Sequence, residues 1–253
     1  MTDMNGKRGI VTGGAGGIGS AIARRIISRG GSVAIFDRNG AAAEALATEL
    51  RAGGGVAEAY AVDITDYDLV EQATESVSRA GPISFLVHAA GWDAPKPFLA
   101  TQPAEWKLSL DINLVGALNL HHVICQRMKA SGGGRIVNFA SDAARAGASN
   151  CTVYSAAKAG LIAFTKSLAR ELAADGILLN TICPGPTETA LFDSMAQSGE
   201  AGERFRAALT RGIPLGRIAV PDDYAEIVML LLGSGGSYIT GQTISVSGGL
   251  TMM

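Results

Sequence analysis

The stretch "VTGGAGGIGSAI", residues 11–22, leaves an apolar run, crosses five glycines in seven positions and enters a helical pattern continued by Ile22 and Ile26. Glycine is required where a turn is tight or where backbone must approach a pyrophosphate closely. A helix that starts there turns its free N–H groups toward the anion. A glycine-rich string alone could be only a tight turn. Here it has the strand–turn–helix setting, and Asp37 ends the next apolar run, "SVAIFD", eighteen residues after Gly19. That is close to the spacing at which an acid reaches the adenosine ribose. Together the two features predict dinucleotide binding.

Outward from this loop, short apolar runs alternate with longer amphipathic ones. The strand-like runs are "RGIVTG", "SVAIFD", "AEAYAVDI", "ISFLVHAAG", "GRIVNFAS", "ILLNTICPG" and "QTISVSGG". Between them Leu161, Phe164, Leu168 and Leu172 repeat at helical spacing, as do Ile227, Val228, Leu231 and Leu232. Strands apolar throughout are covered on both faces. The alternation predicts an α/β fold, a doubly wound parallel sheet of about seven strands with about six helices on its two faces. The glycines at 53–55 and 132–134 read as helix-to-strand turns. With no Pro/Ser linker, residues 1–253 are expected to form one domain, with 188–211 an excursion before the last helix.

Of the 253 residues 47% are hydrophobic and 17% charged, which suits a large core. A formal net charge of −2 without a basic run argues against nucleic acid and acidic membrane as partners. Cys125, Cys151 and Cys183 stand far apart with no CxxC, as free thiols in a reducing compartment do. The first residues lack a signal peptide's apolar segment, and no run was read as a membrane span. The expectation is a cytoplasmic protein. His121 and His122 are adjacent and face different ways on a helix, so no metal site is expected.

The pair Tyr154 and Lys158 lies one helical turn apart, on one face. A phenol ionises near pH 10, too high for a base at neutrality. A cation about 5 Å away, at an effective dielectric near 20, favours the phenolate by roughly 3 kcal/mol. The pair therefore reads as a general base for an alcohol proton. Ser141, at the carboxyl end of a strand, could polarise a carbonyl or cap a turn. Asn113, inside the apolar helix pattern "DINLVGAL", could hold a water leading to Lys158 or mark a kink. Asp37 favours NAD, because a carboxylate accepts from two ribose hydroxyls and repels a 2′-phosphate; Arg38 is the argument for NADP. Asp63 could meet the adenine edge or cap the helix beginning near Asp66.

In order and spacing, "TGGAGGIG", "SVAIFD", "AVDI", "DINLVGAL", Ser141, "YSAAK" and "CPGPTET" resemble the short-chain dehydrogenase/reductase family. The resemblance runs from Lys7 to Gly249 and implies a Rossmann-type fold, NAD(P)-linked interconversion of secondary alcohols and ketones, and a homotetramer. By this resemblance Tyr154 is the acid/base, Lys158 lowers its pKa and binds the nicotinamide ribose, Ser141 orients substrate and Asn113 anchors a water relay. Gly13, Gly17, Ile18 and Gly19 match the pyrophosphate loop. Ala90 and Gly91 match the stretch after the fourth strand; Pro184, Gly185 and Thr187 match the turn facing the nicotinamide amide. A nucleotide-binding regulator that had lost catalysis would keep the loop without needing Tyr154, Lys158 and Ser141 together.

One departure stands out. Family members usually read "NNAG" where this chain has "HAAG", so His88 and Ala89 replace two asparagines, the second of which ties the central strands together. Another group must satisfy that backbone. Substrate contacts are expected from "GWDAPKPF", from "DAARAGASN" and from the excursion, with Trp92 and Phe98 as flat walls and Arg145 and Leu191 shaping the site. Arg145 could meet a carboxylate or CoA phosphate, or pair with a nearby acid. "GWD", "KPF", "SDAAR" and "SVSGGLTM" resemble the branch containing 2-hydroxycyclohexanecarboxyl-CoA dehydrogenase; an alicyclic or aryl alcohol without CoA, or a 3-oxoacyl substrate, stays open.

Overall fold

All seven apolar runs become strands of one parallel sheet. In the computed structural model, described over residues 3–195 and 199–252, the first half runs β1 (Arg8–Thr12), α1 (Gly17–Ser28), β2 (Ser32–Asp37), α2 (Gly40–Ala52), β3 (Val56–Ala61), α3 (Tyr67–Arg79) and β4 (Phe85–His88). There follow α4 (Pro103–Leu110), a π-helical turn at Asp111–Val115, α5 (Gly116–Ala130), β5 (Gly134–Phe139), α6 (Ala143–Ala146) and α7 (Thr152–Leu172). The chain continues through β6 (Ile177–Pro184), α8 (Ala190–Met195), α9 (Glu200–Gly212), α10 (Ala225–Leu232) and β7 (Thr243–Val246). The helices among the described residues outnumber the six expected because the excursion folds into α8 and α9, the π-turn divides α4 from α5, and the four-residue α6 follows β5. Residues 196–198 of that excursion lie outside the described residues.

The strand order is β3-β2-β1-β4-β5-β6-β7. Neighbouring residues of a strand enter different cores. Val11, Ile35, Val87 and Val137 pack with Ile22 and Ile26 of α1, Leu46 and Leu50 of α2, and Val228 and Leu231 of α10. Ile10, Ala34, Leu86 and Ile136 pack with Val70 and Val77 of α3 and Leu120 and Ile124 of α5. A period-2 strand with both faces buried reads as a continuous apolar run, which is why the sequence shows no alternation. The glycine patches end helices as expected, with Gly54 at φ +82° and Gly132 at φ +88°.

The helical run Pro103–Ala130 passes for a membrane span on length and composition, with mean hydropathy 1.3 over its most apolar window. The sequence reading had found no such run. Half of that window is buried inside the protein, including Leu120, Ile124 and Met128, so the apolar residues form a core face.

From β1 the chain winds outward to β2 and β3, then crosses back to β4 on the other side of β1. The carboxyl ends of β1 and β4 thus splay their loops apart. This is the switch point at which open α/β sheets bind ligands.

Candidate active site

A cleft of ≈ 380 Å³ opens at that switch point, between the glycine loop, the end of β2 and the residues after β4. Gly13, Gly17, Ile18, Gly19, Asp37, Asp63, Ala90 and Gly91 line it, with Trp92 and Leu191 at the far side. The loop is fitted to its neighbours at backbone level. Gly13 has φ +60°, and a Cβ there would come within 2.7 Å of the Ala90 Cα. A Cβ on Gly19 would overlap the Gly13 carbonyl. Gly16 caps α1 without any side-chain bond, so the first-turn N–H groups stay open to an anion. A dinucleotide's pyrophosphate fits this cradle. The cleft also has a wall the sequence reading missed: Thr189, whose methyl would meet a Cβ on Gly17 at 2.6 Å. Its signal was the last letter of "CPGPTET".

Asp37 is held in place by backbone. Its Oδ2 accepts from Ala15 N at 3.1 Å and its Oδ1 from Asn39 N at 2.9 Å. Arg38 lines the same cleft and is exposed. Asp63 also lines the cleft, with Oδ1 accepting from the backbone and hydroxyl of Thr65 at 2.9 and 2.7 Å. The helix cap is Asp66, whose carboxylate accepts from Leu69 N. At the end of β6, Thr187 is buried, its hydroxyl paired with Tyr224 Oη at 2.6 Å and donating to the Gly185 carbonyl at 2.9 Å. Pro184 closes β6 just before it.

Tyr154 lines a smaller pocket that shares Trp92 with this cleft, and Ser141, Lys158 and Asn113 stand behind Tyr154, Gly91 and Trp92 without lining either space. The first turn of α7 carries Tyr154, which lies half-buried and hydrogen-bonded to Ser141. Ser141 caps the turn at the head of α6, its Oγ accepting from Ala143 N at 3.1 Å. Lys158 is buried, 5.8 Å from the centre of the Tyr154 ring, and donates to the Phe139 carbonyl at 2.9 Å. Asn113 sits in the π-helical turn and holds residue 92 by both of its amide ends, donating to Trp92 O at 2.7 Å and accepting from Trp92 N at 3.1 Å. A Cβ on Gly91 would lie 3.1 Å from both Asn113 Oδ1 and Lys158 Nζ, so these two polar tips flank one spot that only glycine leaves open. A bridging water has the partners it needs there.

The electrostatics differ from the sequence expectation. Burial pushes the Tyr154 phenol well above its usual range; the Ser141 bond opposes this, while Asp93, Cys151 and Cys183 add to it. Burial also pulls Lys158 down to about 8. Taking both groups out of water penalises phenolate and ammonium alike. In the chain alone, the lysine does not make the tyrosine acidic.

Arg145 lies on α6. Its Nη1 donates to Ser245 Oγ at 2.9 Å and to the Thr243 carbonyl, and Ser245 in turn donates to Asp142 at 2.6 Å. The guanidinium thus braces β7 against α6. The "HAAG" departure is resolved by Thr12: its hydroxyl pairs with His88 Nδ1 at 2.8 Å and accepts from Ala90 N at 3.4 Å, while the Thr12 carbonyl takes Ala89 N at 3.2 Å. His88 is fully buried, and burial holds its pKa well below the usual range, so it is a neutral strand tie. His121 and His122 do point apart, one to the Ala117 carbonyl and the other to Tyr67 Oη.

Residues 13–251 match a family model described as Enoyl-(Acyl carrier protein) reductase. A 2-dehydro-3-deoxy-L-rhamnonate dehydrogenase (NAD(+)) from Sphingomonas sp. strain SKA58 is 36% identical, covering 97% of this chain and 96% of its own. A candidate NAD(P)-dependent gluconate 5-dehydrogenase from Beutenbergia cavernae, solved with NADP at low occupancy, superposes with TM-score 0.92 at 32% identity over 98% of both chains. A short-chain type dehydrogenase/reductase from Mycobacterium marinum gives TM-score 0.91 at 28% identity, covering 99% of this chain and 98% of its own. Sequence, sheet order and relatives agree: the chain is a member of the short-chain dehydrogenase/reductase family, oxidoreductases that bind a nicotinamide cofactor.

Proposed function

We propose that this protein interconverts a secondary alcohol and a ketone with NAD(H). The observation that carries the reading is the grouping of Ser141 and Lys158 around Tyr154, which lines the pocket that shares Trp92 with the dinucleotide cleft. A bound nicotinamide supplies the hydride acceptor or donor. Tyr154 takes the carbinol proton in oxidation and returns it in reduction. Ser141 holds the substrate oxygen, and its bond to Tyr154 keeps that oxygen and the phenol in line. Lys158 and Asn113, flanking Gly91, carry the proton onward through a water between them. Gly13, Gly17, Ile18 and Gly19 hold the pyrophosphate and Asp37 the adenosine ribose, which favours NAD. Pro184, Gly185 and Thr187 back the nicotinamide end.

A homotetramer would cover the exposed Leu108, Leu110, Val115 and Leu118 along α4 and α5. The acyl-CoA reading loses its candidate anchor in Arg145, which is engaged with Ser245. The test is NADH absorbance with a panel of secondary alcohols. Tyr154→Phe should lower kcat about a thousandfold, within the range for loss of a general acid–base group, and leave cofactor affinity within about threefold. Undiminished turnover in that variant would remove Tyr154 from the chemistry.

A further inference from the structure

The pocket beyond Trp92, ≈ 40 Å³, holds polar groups that proton transfer does not use. It is lined by Tyr154 and by Trp92, Asp93, Phe98, Trp106, Ser109 and Cys151 among others. Ser109 is 6% exposed, and its hydroxyl has no hydrogen-bond partner. A buried hydroxyl left unpaired is costly, so this one calls for a ligand atom or water. Asp93 stands in the same wall, its Oδ1 accepting from Ala94 N at 2.9 Å and its carboxylate hydrogen-bonded to the Cys151 thiol. It faces Tyr154 closely enough to act on the phenol's ionisation.

We propose that Asp93 and Ser109 bind a second hydroxyl next to the reacting carbinol, so that the substrate is a short, uncharged vicinal diol or polyol. The assignment rests on the reading of Tyr154 as the proton-transfer group. A ligand hydroxyl can donate to the carboxylate and accept from the serine at once, which neither a carbonyl nor an ether can do. An anionic group would meet two carboxylates, Asp93 and Glu105. The one ammonium among the described lining residues, Lys96, is held by Glu105 at 3.0 and 3.3 Å. Phe98 and Trp106 stack at 5.4 Å and 17°, giving a flat face for the C–H side of a carbon chain. The pocket has room for a few water-sized groups, which suits a short hydroxyl-bearing chain better than a ring with a thioester. Burial raises the Asp93 pKa, and a donated hydroxyl would favour its ionised form.

The test compares kcat/KM with NAD for butane-2,3-diol, butan-2-ol and 3-hydroxybutyrate. The diol should exceed butan-2-ol at least tenfold, and the anion should be poorest. Ser109→Ala and Asp93→Asn should each lower the diol-to-monool ratio at least fivefold. A fall shared by both alcohols, leaving the ratio unmoved, would mark these residues as structural and overturn the assignment. Calorimetric titration of the NADH-saturated Tyr154→Phe variant with the diol separates the two readings. Binding without turnover of any alcohol by the native protein would remove the dehydrogenase reading and keep the pocket's ligand class. Turnover with no diol preference would remove the ligand class alone, and neither binding nor turnover would overturn both.

Discussion

The two sides of the site are made of different materials. The dinucleotide side is backbone: Gly13 against Ala90, Gly19 against the Gly13 carbonyl, Gly17 against Thr189, with α1 opening uncapped N–H groups between them. The reacting side is made of side chains that burial makes costly: Lys158 at 3% exposure, Asn113 at 0%, and a half-buried Tyr154. A backbone cradle is rigid without side-chain ordering and tolerates no added atom. A cluster of buried polar groups stores an electrostatic penalty that the free chain carries until a ligand relieves it.

The largest stability effect should therefore lie on the reacting side. Lys158 has its pKa pulled from 10.5 to about 8, so between those values the unfolded chain binds more protons than the folded one. Stability rises with pH through that window, and below pH 8 the folded protein bears the full cost of a buried ammonium, roughly 3 kcal/mol. Lys158→Met should stabilise the protein at pH 7 by about 2 kcal/mol after loss of the bond to Phe139 O, and near pH 10.5 should destabilise it by up to about 1 kcal/mol, since that loss remains while the burial penalty is gone. Urea unfolding at the two pH values checks this. Equal effects at both would mean that the lysine is not carrying a burial penalty.

On the backbone side the effect falls on binding. Gly19→Ala forces the loop away from the Gly13 carbonyl, and NAD affinity should fall about a hundredfold, close to 2.7 kcal/mol. Gly54→Ala is the matched control. That residue has φ +82° with nothing within 4 Å of a new Cβ, so it should cost about 1 kcal/mol of stability and leave cofactor affinity alone. Fluorescence titration of both variants separates a crowded glycine from a merely left-handed one.

The same contrast explains what could be read from sequence. β2 is read to the residue, Ser32–Asp37, and the other strands differ mainly at their ends, because a doubly buried strand leaves an unbroken apolar signature. The glycine loop is legible because a backbone cradle must be written in glycine. Tyr154 and Lys158 are legible as a pair one turn apart, but not in their electrostatics, since 5 Å along a helix does not say that burial will outweigh the charge. The bonds of Arg145 to Ser245 and Thr243 were not legible because these partners come from β7, a hundred residues later in the chain. Asp93 lies within "GWDAPKPF", where substrate contacts are expected, whereas Ser109 on α4 carries no local signature and only the fold brings the two together. The task of the missing asparagine went to Thr12, two strands removed in sequence but hydrogen-bonded to His88 across the β1–β4 pairing.

On the backbone side Asp37 is the side chain expected to bear on cofactor choice, and its expected effect is the smallest. Both carboxylate oxygens are pinned, by Ala15 N and by Asn39 N, so the charge cannot swing away from a 2′-phosphate. Asp37→Ser removes that charge and keeps a hydroxyl for the ribose, while the exposed Arg38 remains to meet the phosphate. The ratio of NADP to NAD affinity should rise about tenfold, near 1.4 kcal/mol, most of it gained by NADP at low salt, where a surface guanidinium is least screened. If the unaltered protein already binds NADP more tightly, Arg38 outweighs Asp37. If the variant's ratio does not move, the carboxylate serves the Ala15 and Asn39 turns and takes no part in choosing between the cofactors.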